Sequence, residues 1–263
     1  MNIRRVRPVY FSPTGTSKSI AEAVAEGMEI KADGLNLTRS DDETQKREFS
    51  NDELAIIASP VYGGRIPVTA ADRFRNLKGN GTPAVVVVVY GNRAYDNALL
   101  ELKDLVIEQG FSPIAGAAFI GEHSYSTPEK PIAAGRPDGA DLKKALAFGV
   151  DIKEKLKSAK GGFWEIEVPG KKPFRERGIV EPFSPETDRS TCSLCGVCAT
   201  VCPTAAVTVA GLVETMKERC IRCAACVKNC PTGARHWEHE GLKRAVSRLY
   251  ENCSVRKEPE LFL

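Results

Sequence analysis

No stretch of this 263-residue chain is apolar for long enough to cross a bilayer: the longest run, residues 84–89, falls far short of the roughly 20 residues a spanning helix needs. A secretory leader is not visible either. Arg4, Arg5 and Arg7 run straight into a strand-like segment, with no apolar core region and no small-residue cleavage site. Neither sign of charge dominates, and a formal net charge of +3 from 37 basic and 34 acidic residues argues against a nucleic-acid partner. The nucleoside-triphosphate loop Gly-x4-Gly-Lys-Ser/Thr is missing, as is a Gly-x-Gly-x-x-Gly run opening the first helix. A loose match from Gly79 and Gly81 to Ala84 precedes a strand instead of following one, so it reads as a turn. With 42% hydrophobic and 27% charged residues, the chain suits two folded, soluble domains, and a cytoplasmic location is expected.

Cysteine is what the chain has in quantity. Eight of the nine cysteines form two near-copies of one run, C-x2-C-x2-C-x3-C-P: Cys192, Cys195, Cys198 and Cys202 before Pro203, then Cys220, Cys223, Cys226 and Cys230 before Pro231. Three closely spaced thiolates can grip one face of a cubane, while the fourth cysteine points to the other cluster. The expected ligand sets are therefore crossed. One 4Fe-4S cluster takes Cys192, Cys195, Cys198 and Cys230, and the other takes Cys220, Cys223, Cys226 and Cys202. Small or apolar residues between the ligands, such as Gly196, Val197, Ala224, Ala225 and Val227, let backbone N–H groups approach sulfur and keep water away. Zinc also suits paired C-x2-C units, but it would leave the third cysteine of each run and the prolines without a purpose. A disulfide framework fits poorly with a long chain that has a core of its own. The runs resemble bacterial ferredoxins carrying two 4Fe-4S clusters, and the match extends to Pro203-Thr204-Ala205 and Pro231-Thr232-Gly233-Ala234. An organism or compartment poor in oxygen is expected.

Upstream, residues 1–160 alternate short apolar strands with amphipathic segments, the pattern of a parallel sheet covered on both faces. Strands are expected near 5–11, 33–38, 54–60, 84–90 and 113–121, and helices near 17–30, 67–77, 95–109 and 139–158. Right-handed crossovers bring every strand-to-helix loop to one sheet edge, where a ligand would sit. Between 161 and 188 periodicity fades and glycine, proline and charge cluster, as in a linker. There Phe163, Trp164, Ile166 and Val168 suit either an extra strand or packing between domains. Residues 189–240 form the cluster-binding unit. The tail, 241–263, holds a possible basic helix at 242–250 with no assigned purpose.

After the first strand comes Ser12-Pro13-Thr14-Gly15-Thr16-Ser17-Lys18, leading into a helix. Hydroxyl donors at Ser12, Thr14, Thr16 and Ser17, a turn at Gly15 and free N–H groups at a helix start together suit a phosphate, although helix capping alone favours the same residues. This loop resembles the phosphate loop of flavodoxins. The third strand ends in Pro60-Val61-Tyr62-Gly63-Gly64 and the fourth in Tyr90-Gly91-Asn92-Arg93-Ala94-Tyr95, similar to the two flavin loops of that family. The resemblance implies FMN, with Tyr62 or Tyr95 stacked on the ring and backbone near Gly63, Gly64, Gly91 and Asn92 at its polar edge. Each tyrosine, taken singly, also suits simple packing on the sheet rim. Arg93 would favour an anionic reduced flavin. His123 suits either the flavin site or the domain interface, with a redox or proton role as one option. His236 and His239 read as surface or cluster-packing residues, and Cys253 as a spare, small apolar thiol.

As a whole the chain resembles the flavodoxin/ferredoxin fusions of anaerobic bacteria and archaea. That resemblance implies an α/β fold with a flavodoxin-like, five-stranded, doubly wound parallel sheet of order 2-1-3-4-5, plus a small α+β ferredoxin-like domain. It also implies an electron-transfer flavoprotein with one FMN and two 4Fe-4S clusters. Its partners would be a low-potential ferredoxin-type donor and an acceptor protein, with conversion between one- and two-electron traffic. An alternative is an FMN-dependent reductase of a quinone, nitroaromatic or similar small molecule, refilled by its clusters. A homodimer that sets one chain's clusters beside the other's flavin is also open, and nothing suggests direct nicotinamide binding.

Overall fold

The computed structural model describes residues 3–39, 47–158, 166–178 and 181–263. Five strands, β1 (Arg5–Tyr10), β2 (Leu35–Asn36), β3 (Glu53–Pro60), β4 (Thr82–Tyr90) and β5 (Phe111–Ile120), pair in parallel in the order β2-β1-β3-β4-β5. That is the 2-1-3-4-5 order implied by the resemblance. The core explains why an uninterrupted valine run serves as a central strand. Val86 and Val88 face a layer made by α2 (Val68–Phe74) and α3 (Ala98–Glu108), where Phe74, Leu99 and Val106 are buried. Val85 and Val87 face α1 (Thr16–Gly27) and α4 (Gly139–Ser158), against Ile20, Val24 and Phe148. Each fully buried side chain of this size contributes about 1.5–3 kcal/mol. A strand wanted by two layers is therefore apolar along its centre, from Ala84 to Val89.

The cysteine-rich module repeats itself in three dimensions. Two short helices, α5 (Val197–Thr200) and α6 (Ala225–Lys228), each follow a left-handed residue, Gly196 and Ala224. Leu194 and Arg222 also have positive φ, as do Ala205 and Gly233 after the two prolines. Equivalent positions of the two copies thus share their unusual backbone, which bends three cysteines of each run inward. A hairpin of β6 (Val207–Val209) and β7 (Val213–Thr215), and a short pairing of Glu186–Thr187 with Arg235–His236, close the module.

The tail departs from expectation. Its helix, α7 (Glu240–Asn252), packs Leu242 and Val246 onto Ile132, Tyr125 and Trp237. Beyond it β8 (Glu260–Phe262) adds a sixth strand, antiparallel to β5, with Phe262 opposite Gly116. The sheet is six-stranded and mixed, not five-stranded and purely parallel, because the chain returns from the cysteine module to cover its own open edge. In the linker, Ile166 is 3% exposed within the α2/α3 core and Val168 packs against it, but residues 166–168 form no strand. Phe163 and Trp164 lie outside the described residues.

Candidate redox site

A cavity of about 800 Å³ opens at the edge where β1, β3, β4 and β5 end. Thr14 and Thr16 line it from the first loop. Gly15, at φ +86°, caps α1 in a left-handed conformation that a side chain would resist. No acidic residue occupies the first turn of this helix, so its positive end is open to an anion. Ser17 is fully buried just inside the turn, and its Oγ has no partner. A buried hydroxyl without a partner is costly unless a ligand meets it, so the donor set fits a phosphate. Ser12 does internal work: its Oγ accepts from Lys18 N at 3.0 Å, and its own N donates to Thr38 Oγ1 at 2.8 Å.

From β3 the wall continues through Pro60, Val61, Tyr62 and Gly63, with Tyr62 half-buried and its backbone closed onto Arg65 at 2.8 Å. Gly64 lies behind them, its carbonyl accepting from Asn97 N at 3.1 Å. From β4 come Tyr90 and Gly91. A Cβ on Gly91 would stand 2.3 Å from His123 Cδ2, so only glycine lets the β4 and β5 loops close together. The side chains of Asn92 and Tyr95 face elsewhere. The buried Asn92 amide donates to Cys253 O at 2.6 Å and Val255 O at 2.8 Å, and Tyr95 donates its hydroxyl to Glu260 at 2.7 Å. Both side chains hold the tail.

His123 lines the cavity, its Nδ1 accepting from Tyr125 N at 3.1 Å, which leaves the proton on Nε2. Burial, with Lys228 and Arg93 adding to it, pushes its pKa down to about 4, so the ring is neutral at physiological pH. Burial also raises the Tyr125 phenol.

The eight clustered cysteines gather into two quartets. Cys192, Cys195, Cys198 and Cys230 surround one small cavity, and Cys202, Cys220, Cys223 and Cys226 surround another. All eight are unpaired thiols. Burial pushes the Cys223 thiol up to about 12 and raises Cys198, Cys220 and Cys226 as well. Three of these, Cys220, Cys223 and Cys226, share one hollow, where a cationic centre would hold them as thiolates. Sulfur also meets protein donors: Ala206 N donates to Cys202 Sγ at 3.2 Å, and Arg235 Nη2 reaches Cys226 Sγ at 3.7 Å.

The second quartet abuts the large cavity, because Cys220, Ile221 and Arg222 form part of its wall. Three side chains hold them there. Arg73, buried in the first module, donates to Pro203 O at 2.6 Å beside Cys202. Tyr125 donates its hydroxyl to Arg222 O at 3.0 Å, fixing the left-handed residue between Cys220 and Cys223. Lys228 reaches Glu122 at 2.5 Å and Ser126 O at 2.7 Å. The linker closes another side: Arg177 donates to Ile66 O at 2.7 Å, and Arg65, clamped by Glu101 at 2.6 and 2.7 Å, donates to Arg175 O at 2.7 Å.

Residues 184–231 match a family described as a 4Fe-4S dicluster domain. The chain joins a flavodoxin-like fold to an iron-sulfur module. Solved structures similar to the flavodoxin-like module include a flavodoxin from the domain Archaea (16% identity, TM-score 0.38, 58% of this chain and 99% of that one). Oxidised flavodoxin 2 from Bacillus cereus is similar over 57% of this chain and 99% of its own, with 16% identity and TM-score 0.42. Rubredoxin oxygen:oxidoreductase from Desulfovibrio gigas aligns over 60% of this chain and 37% of its own, with 14% identity and TM-score 0.44. The strand order carries the fold of the module. No curated protein matches the chain. Sequence reasoning missed the connections among linker, tail and cysteine module that wall the site of this flavodoxin-like/iron-sulfur chain. The one signal available was Asn92, a residue that tolerates positive φ and carries a bidentate amide.

Proposed function

We propose that this chain binds one FMN and two 4Fe-4S clusters and conducts electrons between them. The observation that carries this reading is the shared wall: the loop holding Cys220 and Cys223 also bounds the cavity beside Tyr62 and His123. The first-loop residues Thr14, Gly15, Thr16 and Ser17 would hold the phosphate, with Pro60, Val61, Tyr62, Gly63 and Gly91 around the ring. The crossed quartets would hold the clusters. Bound there, the clusters supply single electrons, whereas FMN accepts one or two. The protein's own part is to fix the centres against each other and to exclude water. Tyr125 and Arg73 lock the cluster loop to the sheet edge, and the neutral His123 offers an Nε2–H to the cavity without adding charge. Because one chain supplies both walls, the route needs no exchange of modules between copies. A ferredoxin-type protein is the proposed donor and a second redox protein the proposed acceptor.

Anaerobic purification followed by iron, sulfide and flavin quantification tests the reading. About eight irons and one FMN per chain are expected for two cubanes and a flavin. Iron without flavin would leave an iron-sulfur protein with an idle α/β module and would refute it.

A further inference from the structure

The two cysteine runs are near-copies, but five residues after the last cysteine they part company. The first copy has Val207 there and the second has Arg235. Both side chains are buried, at 5% and 3% exposure. Val207 lines the hollow of the Cys202, Cys220, Cys223 and Cys226 quartet, as an apolar residue should. Arg235 lines the hollow of the other quartet and reaches across to Cys226 Sγ at 3.7 Å.

A buried guanidinium needs an anion, since an uncompensated charge in the interior costs several kcal/mol. Arg235 has no carboxylate partner among the described residues. Its other contacts are the neutral hydroxyls of Thr187, at 2.7 Å, and Thr215, at 3.0 Å. Its Nε is buried with no partner at all. The arginine therefore has oriented donors and an uncompensated charge, and it stands between two quartets of cysteines whose sulfurs would carry the opposite sign once they hold clusters.

We propose that Arg235 is the common counter-charge of both iron-sulfur clusters and raises the reduction potential of each. The inference rests on the cluster reading given above. Each cluster takes up one electron from an external reductant, with no bond made or broken and no proton required. The negative charge so gained is stabilised by the adjacent guanidinium, which also screens one cluster from the other. Removing the cation therefore lowers both potentials. An electrically neutral packing role would leave them where they are.

The test uses the full chain purified without oxygen, as wild type, Arg235→Gln and Arg235→Lys. Iron is quantified in each, and both clusters are followed by electron paramagnetic resonance during a dithionite titration. In R235Q with its full iron complement, the reduction equilibrium of each cluster should fall about tenfold or more, a shift of about 59 mV for one electron. R235K, which keeps the charge, should hold both potentials near wild type. Unshifted potentials in iron-replete R235Q overturn the inference, and so does an equal fall in R235K. If R235Q does not retain iron, Arg235→Met, which keeps the bulk without the charge, is read by the same criterion: a fall in both potentials supports the counter-charge, and unshifted potentials refute it. Wild-type protein that binds no iron would instead overturn the cluster reading itself, and this inference with it.

Discussion

Replacing Asn92 by glycine separates holding the tail from binding a flavin. The residue has φ +65°, which glycine adopts freely, so N92G removes the amide without adding backbone strain. Alanine would add a left-handed penalty of about 1–2 kcal/mol. The amide donates two hydrogen bonds, to Cys253 O and Val255 O, at 2.6 and 2.8 Å. Two neutral bonds at about 0.5–1.5 kcal/mol each give about 2 kcal/mol for holding the tail. That corresponds to about a 30-fold rise in the population with the strap open. Hydrogen exchange reads this directly, because β8 pairs Glu260, Leu261 and Phe262 with Ala118, Ala117 and Gly116. The amides of β8 should exchange about 30-fold faster in N92G, with FMN affinity changed less than the exchange rate. Unchanged exchange together with a large loss of FMN affinity would refute the reasoning and assign the Asn92 amide to the flavin instead of the tail.

Ser17→Ala removes the unpartnered hydroxyl at the start of α1; it should weaken FMN binding about 10-fold or more, given about 1.5–3 kcal/mol for a bond to a charged group, while urea stability without flavin stays the same or rises. Equal FMN affinity would exclude Ser17 from the phosphate site. Arg73→Met removes the donor to Pro203 O and should loosen the modules by about 1.5–3 kcal/mol, read as at least tenfold faster amide exchange at residues 220–223; unchanged exchange would show that Arg73 does not dock the module. His123, with a folded pKa of about 4 against an ordinary 6.5, binds its proton less readily folded than unfolded, so its contribution is complete above pH 6.5 and is lost as pH falls toward 4. By pH 5 the loss is about 1–2 kcal/mol, and His123→Gln should flatten that part of the urea-stability profile. An identical profile in the variant would assign the acid sensitivity to other groups.

The legible parts of the sequence were those decided locally. Ligand spacing in C-x2-C-x2-C-x3-C-P is imposed by one cluster on one loop, and the valine run of β4 is imposed by two apolar layers, so both stand out in a window of ten residues. The strap formed by β8 has no such signal, because Glu260, Leu261 and Phe262 make a strand only where the open edge of β5 receives them. Asn92 and Tyr95 look like flavin-loop residues by position, yet their partners are more than 160 residues away, in Cys253, Val255 and Glu260. The glycines and prolines of the linker read as loop. Its residues 166–178 are loop, and Arg175 and Arg177 bind them over the cavity through Arg65 and Ile66. Arg235 was legible in one respect only. Laying one cysteine run over the other exposes it as a charge where its counterpart is valine, and burial then gives that difference its meaning.

Stopped-flow spectroscopy of the FMN-loaded, iron-replete chain tests the central claim most directly. Mixed without oxygen with a reduced low-potential ferredoxin, the iron-sulfur bleaching should come first and flavin reduction should follow. The rate of that second phase should not change over a tenfold range of protein concentration, because Cys220, Ile221 and Arg222 stand in the wall of the cavity proposed to hold the flavin in the same chain. A flavin phase whose rate rises in proportion to protein concentration, or one that precedes the bleaching, would contradict the account.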